Sequence, residues 1–248
     1  MAANWKMNLT ISESVKLATE LKEKVKDVSD REVLICPSFT TLSAVNEVVK
    51  GSNIVLGAQN VCQEEKGAFT GEISPLMLKE VGCSYVMVGH SERRHVFGET
   101  NDLVNLRLKN GLKNDLKVIL CVGETLDQKK ANETNEIIVE QVEIGLKDVS
   151  AEKMDNIVIA YEPVWAISGG DASHKPATAA DAQEVHAMIR QLLTDMFNKK
   201  VSDDTRIIYG GSMKPENVKE LMAQEDVDGG LVGGASLNAE SFSKIVKY

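Results

Sequence analysis

Short apolar runs recur along the chain, separated by longer stretches in which apolar residues return every three or four positions. The runs fall at Ala2–Asn4, Val33–Pro37, Ile54–Ala58, Tyr85–Gly89, Val118–Val122, Ile157–Glu162, Arg206–Gly210 and Gly229–Val232. Most lack strict alternation, the pattern of parallel strands covered on both faces. Ser12–Lys26 reads as an amphipathic helix, with Val15, Leu17, Leu21 and Val25 near helical spacing and charges elsewhere. Thr134–Lys147 and Ala180–Asn198 predict long helices, and Leu42–Val49, Pro75–Glu80, Asn101–Lys113, Pro215–Ala223 and Ala239–Val246 shorter ones.

This makes eight strand-then-helix units in 248 residues. With right-handed crossovers, eight such units predict an α/β fold: a closed (β/α)8 barrel of eight parallel strands with eight outer helices, a fold of ~250 residues. The rival, an open doubly wound sheet, usually carries a glycine-rich fingerprint after its first strand. Here Asn4-Trp5-Lys6-Met7-Asn8 stands in that place, without a glycine. No linker or compositional break interrupts the chain, so residues 1–248 are expected to form one domain.

Composition narrows the function. Hydrophobic residues make up 43% and charged residues 26%, as in globular proteins rather than disordered or fibrous ones. Lys and Arg number 28 against 37 Asp and Glu, a net charge of −9, which argues against a nucleic-acid partner. No apolar run approaches the ~18–20 residues that span a bilayer. Met1–Asn8 has no pattern of a secretory leader, so a cytoplasmic protein without a membrane partner is expected. Cys36, Cys62, Cys83 and Cys121 form no C-x-x-C pair and read as small buried hydrophobes in a reducing compartment, not as disulfides or a zinc site.

In a barrel of this kind, function sits where the strands end. The polar residues there are Asn4 and Lys6, Ser38, Gln59 and Asn60, His90 with Ser91-Glu92-Arg93-Arg94, Glu124, Glu162, Gly210-Gly211-Ser212, and Gly233-Gly234. The two glycine pairs follow the seventh and eighth runs, where barrels commonly hold a phosphate on backbone amides. Lys6 would add a full positive charge. His90 and Glu162 at one mouth, without metal-ligand spacing, suggest proton transfer that needs neither metal nor cofactor. Glu162 follows an apolar run, so desolvation is expected to raise its basicity. His95, His174 and His186 lie away from the strand ends. No P-loop or nucleophile-elbow motif is present, and Cys121 has no adjacent base.

These residues resemble the triosephosphate isomerase family over nearly the whole chain. The matching stretches are Asn4-Trp5-Lys6-Met7-Asn8, Gly57–Val61, Gly67–Glu72, Val88–Arg94, Ala160–Ile167, Tyr209–Ser212 and Leu231–Ser236. The resemblance implies a TIM barrel that interconverts dihydroxyacetone phosphate and D-glyceraldehyde 3-phosphate. It makes Glu162 the base and His90 the electrophile. Asn4 and Lys6 become contacts to substrate and developing charge, and Glu92 a carboxylate near Lys6. Ser212, Gly233 and Gly234 take the phosphate-binding positions. The family is itself the established case of a carboxylate base working beside a neutral histidine. It also implies a closing lid, and a homodimer through the Gly67–Glu72 loop, with Thr70 near the partner's site and Arg93 and Glu72 paired across the interface. Non-catalytic phosphate-binding barrels and isomerases of larger sugar phosphates are the weaker alternatives, since Lys6, His90 and Glu162 are all present.

Two stretches depart from the family pattern. The lid, Ser168 to Pro176, is about four residues longer than the family pattern. Ser168 stands where the family has a phosphate-binding glycine, and its amide, with that of Gly170, is expected to serve instead. His174 and Lys175 are read as solvated lid residues. Fewer residues than usual precede Asn4, which predicts either a short first strand or residues missing before Met1.

Overall fold

The computed structural model of the chain describes residues 1–167 and 177–248. Its strands are β1 (Ala2–Asn4), β2 (Val33–Cys36), β3 (Ile54–Ala58), β4 (Tyr85–Val88), β5 (Lys117–Val122), β6 (Ile157–Tyr161), β7 (Arg206–Tyr209) and β8 (Gly229–Val232). Every neighbouring pair is parallel, and β8 returns to pair with β1, with Ala2 opposite Leu231. The barrel is therefore closed, as the alternation of runs predicts.

Around it lie α1 (Ile11–Val25), α2 (Leu42–Val49), α3 (Pro75–Glu80), α4 (Ser91–His95), α5 (Asn101–Lys113), α6 (Leu126–Lys130), α7 (Thr134–Gly145), α8 (Ala179–Met196), α9 (Lys199–Asp204), α10 (Val218–Met222) and α11 (Ala239–Val246). α1 begins at a capping box formed by Thr10 and Glu13. Its buried stripe is Ser14, Leu17, Ala18, Leu21 and Val25, so Val15 is turned off the predicted stripe. Three one-turn helices, α4, α6 and α9, escape periodicity because five or six residues hold too little of the repeat. Each is marked instead by its cap: His90, Thr125 with Gln128, and Asn198. Asn198 starts α9, which is why α8 stops at Met196 rather than running to Asn198. The stretch Pro215–Ala223 shortens to α10, because Lys214–Asn217 is spent on a turn.

Two apolar layers result. Ala2, Leu34, Cys36, Tyr85, Met87, Ile119, Cys121, Val158, Ala160, Ile208 and Leu231 fill the barrel. The alternate residues, among them Ala3, Val33, Ile35, Val86, Val88, Leu120 and Ile159, pack outward with the helices. Side chains alternate with a period of two along a strand. Continuing the inward phase leads from Ala2 to Asn4 at the last position of β1 and, just past the other strand ends, from Ala160 to Glu162, from Ile208 to Gly210 and from Leu231 to Gly233. The site residues are thus the next inward positions above a packed interior.

The end of β5 is held firmly. Buried Gln141 of α7 accepts from the Gly123 amide at 2.7 Å and donates to its carbonyl at 3.1 Å. A β-carbon at Gly123 would fall 1.8 Å from the Glu162 carbonyl oxygen, a backbone atom that cannot step aside. Gly123→Ala should therefore lower unfolding free energy by roughly 1–3 kcal/mol, the usual cost of overpacking. A denaturant midpoint equal to that of the parent protein would contradict this account.

Candidate active site

The first strand delivers Asn4 and then a strained turn. Lys6 has φ +52, a left-handed conformation that costs a non-glycine residue roughly 1–3 kcal/mol. The surroundings hold it there. Asn4 Oδ1 accepts the Lys6 amide at 3.0 Å, and Gln59 Nε2 donates to the Lys6 carbonyl at 2.8 Å and to that of Cys36 at 2.9 Å. The Lys6 ammonium then lies 2.7 Å from Glu92 Oε1, with its stem against Gly233.

The fourth strand end supplies His90, the N-cap of α4. Its Nδ1 accepts from the Glu92 amide at 3.3 Å, which leaves the ring proton on Nε2. Nε2 is 3.0 Å from Glu162 Oε1. The second Glu162 oxygen accepts the Ser91 amide at 2.9 Å. Glu162 is only 2% exposed, so both of its oxygens are satisfied by protein. Its Cγ passes close over Gly210, where a β-carbon would sit 2.7 Å away.

The opposite rim is backbone. Gly234–Leu237 forms a 3₁₀ turn whose Ser236 amide bonds the Gly233 carbonyl at 2.8 Å. The leading amides of Gly234 and Ala235 have no acceptor inside that turn, a ready position for an anion. Asn4, Lys6, His90, Glu162, Ser212, Gly233 and Gly234 all line one cavity at the barrel mouth. Ile167, Gly210, Gly211, Met213, Lys214, Leu231 and Ala235 complete its wall. The strand-end rule led to the polar members and the glycines. It passed over Ile167 and Leu231, which are apolar, and Lys214, which stands two residues beyond Ser212.

Other strand-end residues have different work. Glu124 is fully buried and accepts from the Tyr161 hydroxyl at 3.2 Å and the Trp165 indole at 2.7 Å, bracing the chain just after Glu162. His186 is buried on α8 against the Asp226 carbonyl, and burial lowers its pKa to about 4. His95 is exposed at the end of α4. Ser168, Gly170, His174 and Lys175 lie outside the described residues.

A family model described as triosephosphate isomerase matches residues 1–248. The chain belongs to the triosephosphate isomerase family. Triosephosphate isomerase of Endomicrobium trichonymphae is 54% identical over 248 residues, covering 100% of this chain and 97% of the relative. That of Thermoanaerobacter sp. strain X514 is 52% identical, covering 100% of this chain and 98% of the relative. The crystal structure of triosephosphate isomerase from Bartonella henselae matches with a TM-score of 0.89 at 40% identity, covering 100% of this chain and 97% of that one.

For a member of the triosephosphate isomerase family, the charge state of the facing pair matters most, and here one expectation from the sequence is corrected. Burial does push the Glu162 carboxyl upward, but the His90 imidazole, the Ser91 amide and the Lys6 charge outweigh it. The net shift is downward. An apolar run reveals the desolvation but not the partner that opposes it. For His90, burial acts to lower the pKa, while Glu162 and then Glu92 outweigh burial and Lys6, and the net direction is upward. The helix start opposes this, because protonating Nδ1 would forfeit the bond from the Glu92 amide. Glu162 is thus the main group that favours imidazolium while it rests against Nε2, with Glu92 behind it.

Removing that carboxylate should therefore lower the His90 pKa. Nitrogen-15 NMR titration of the ring is expected to show a lower midpoint in Glu162→Gln than in the parent. An equal or higher midpoint would contradict the assignment of cause.

Proposed function

We propose that the chain interconverts dihydroxyacetone phosphate and D-glyceraldehyde 3-phosphate through an enediolate, with Glu162 as the base and His90 as the electrophile. The observation that supports this reading most directly is the 3.0 Å contact of Glu162 with His90 inside a cavity whose other wall is glycine backbone. Both reacting groups and an anion-holding rim then serve one small phosphorylated molecule.

The roles follow from the chemistry of each group. The phosphate rests on the amides of Gly233, Gly234 and the Ser212 turn, and those of Ser168 and Gly170 are assigned to the same end by resemblance alone. This puts the carbonyl of the substrate toward His90 and Lys6. Glu162 leaves His90 and Ser91 and takes a proton from C1. The electron pair of the broken C–H bond forms the C1–C2 double bond, and the carbonyl π pair moves onto O2. The Nε2 proton of His90 hydrogen-bonds that oxygen, the Lys6 charge steadies it, and Asn4 orients the substrate. With the carboxylate gone from Nε2, the main influence favouring imidazolium is lost, and a neutral ring is well matched in acidity to an enediol. His90 gives its proton to O2 and takes one from O1, and Glu162 returns its proton to C2. Glu92 acts through Lys6, holding the ammonium in place. The bare backbone at Gly210 leaves room for the Glu162 stem to swing.

Replacement of Glu162 by Gln removes the base with little change in shape. In a coupled assay with glyceraldehyde 3-phosphate, turnover should fall by about 10²–10⁴-fold, the usual weight of a positioned base. Full activity in a folded Glu162→Gln protein would sink the reading.

We also infer a homodimer, in which the Gly67–Glu72 loop of each copy enters the other. The loop is exposed around Thr70, and Phe69 is 40% exposed. Gly71 and Glu72 share a small cavity with Phe39 and Arg93. Met7, Val96 and Phe97 are also largely exposed, apolar surface of a kind that usually marks an interface. In the single chain, Arg93 bonds Glu99 at 2.6 Å and Glu72 lies 3.2 Å from Arg107. An Arg93–Glu72 pair between copies would share these partners. The cytoplasm is the compartment we assign. No helix among the described residues is long and apolar enough to cross a membrane, and all four cysteines are free and buried. Sedimentation at micromolar concentration should give a particle of twice the 27.1 kDa chain mass, and one of 27.1 kDa alone would contradict the dimer.

A further inference from the structure

Among the described residues, the charges around the mouth suit its proposed ligand better if one more cation takes part. Of the groups described there, Glu162 contributes a negative charge, and the Lys6 charge is offset by Glu92 at 2.7 Å. These three sum to −1 on a chain whose net charge is already −9. From the side chains alone, a phosphate dianion approaching such a mouth meets an excess of negative charge before it reaches the glycine amides, and clefts concentrate the field of the charges that line them.

Lys214 cancels that excess. It lines the same cavity as Ser212, Gly234 and Ala235, and it forms no ion pair among the described residues. The nearest carboxylate in sequence, Glu216, shares a second groove with Lys214 and does not line the cavity itself. The backbone of Lys214 is anchored at both ends. Its amide donates to Asn217 Oδ1 at 2.8 Å, and its carbonyl accepts the Val218 amide at 3.0 Å. Asn217 also donates to the Ser212 carbonyl at 3.0 Å, so one side chain sets the rim glycine turn and Lys214 together. The side chain itself is exposed, free to meet an incoming anion.

We propose that Lys214 is the cation that draws the substrate phosphate to the barrel mouth and lowers the cost of its arrival on the glycine amides. This rests on the assignment of the phosphate end made above. Lys214 acts on capture, not on proton transfer. Its contribution therefore belongs in kcat/KM, and it weakens as salt screens the charge.

The test compares the parent, Lys214→Met, Lys214→Arg and Glu162→Gln in a coupled assay across ionic strength, with inorganic phosphate as a competitive inhibitor. For Lys214→Met, kcat/KM is expected to fall about three- to tenfold at low ionic strength and to come within about twofold of the parent at 0.5 M salt. The loss should appear in KM, phosphate inhibition should weaken in parallel, and Lys214→Arg should restore both. A Lys214→Met salt profile that superimposes on the parent would overturn the proposal, as would a loss confined to kcat or one that arginine fails to rescue. Glu162→Gln separates the two readings. If it retains parental turnover, the site assignment fails; if it loses turnover while Lys214→Met matches the parent, only the role of Lys214 fails.

Discussion

A strand presents every second side chain to the same face, and closing eight of them into a ring gives that face no exit except the two ends. The inward positions fill with Leu34, Met87, Ile119, Val158, Ile208 and their neighbours until the strands stop. The next inward position on each strand then has nothing above it. Asn4, Glu162, Gly210 and Gly233 all occupy such positions. A one-residue slip of β6 against β5, where Leu120 now faces Ile159, would turn Glu162 into the helix layer and leave the mouth without its carboxylate. Register is therefore the condition on which the geometry of the cavity rests.

On that frame the electrostatics are arranged as opposed pairs. Lys6 is answered by Glu92, and Glu162 by His90 and the Ser91 amide. Each charge is held in a defined place by a partner from another strand end. Such pairing lowers the cost of keeping a carboxylate 2% exposed, and it stores the base in a resting contact that a substrate must replace. The low basicity of Glu162 in this arrangement and its proposed work as a base are thus properties of two positions of the same side chain.

The architecture was legible because it is written as repetition. Eight apolar runs and their helical spacers survive errors of a residue or two, and the misplaced ends of β2, β4, β5, β6 and β7 changed nothing in the order of the strands. The short helices α4, α6 and α9 were not legible by period, since one turn holds no repeat. Of the mouth, the polar strand ends and glycine pairs could be read from position alone. The contact between His90 and Glu162 could not, because 72 positions separate them in sequence and only the barrel brings them to 3.0 Å. For the same reason the sequence showed why Glu162 should be desolvated and concealed what compensates it. Lys214 was passed over because a lysine in a surface loop looks like any other until the cavity beside it is seen.

The left-handed backbone at Lys6 carries a consequence for how this position can change over evolutionary time. Glycine would relax the φ of +52 and asparagine would tolerate it better, so either replacement removes strain from the native state. Both would also delete the ammonium beside Glu92. Selection for a more robust fold and selection for turnover therefore pull this one residue in opposite directions, and a screen that rewards heat resistance alone should drift toward sturdy, idle proteins there.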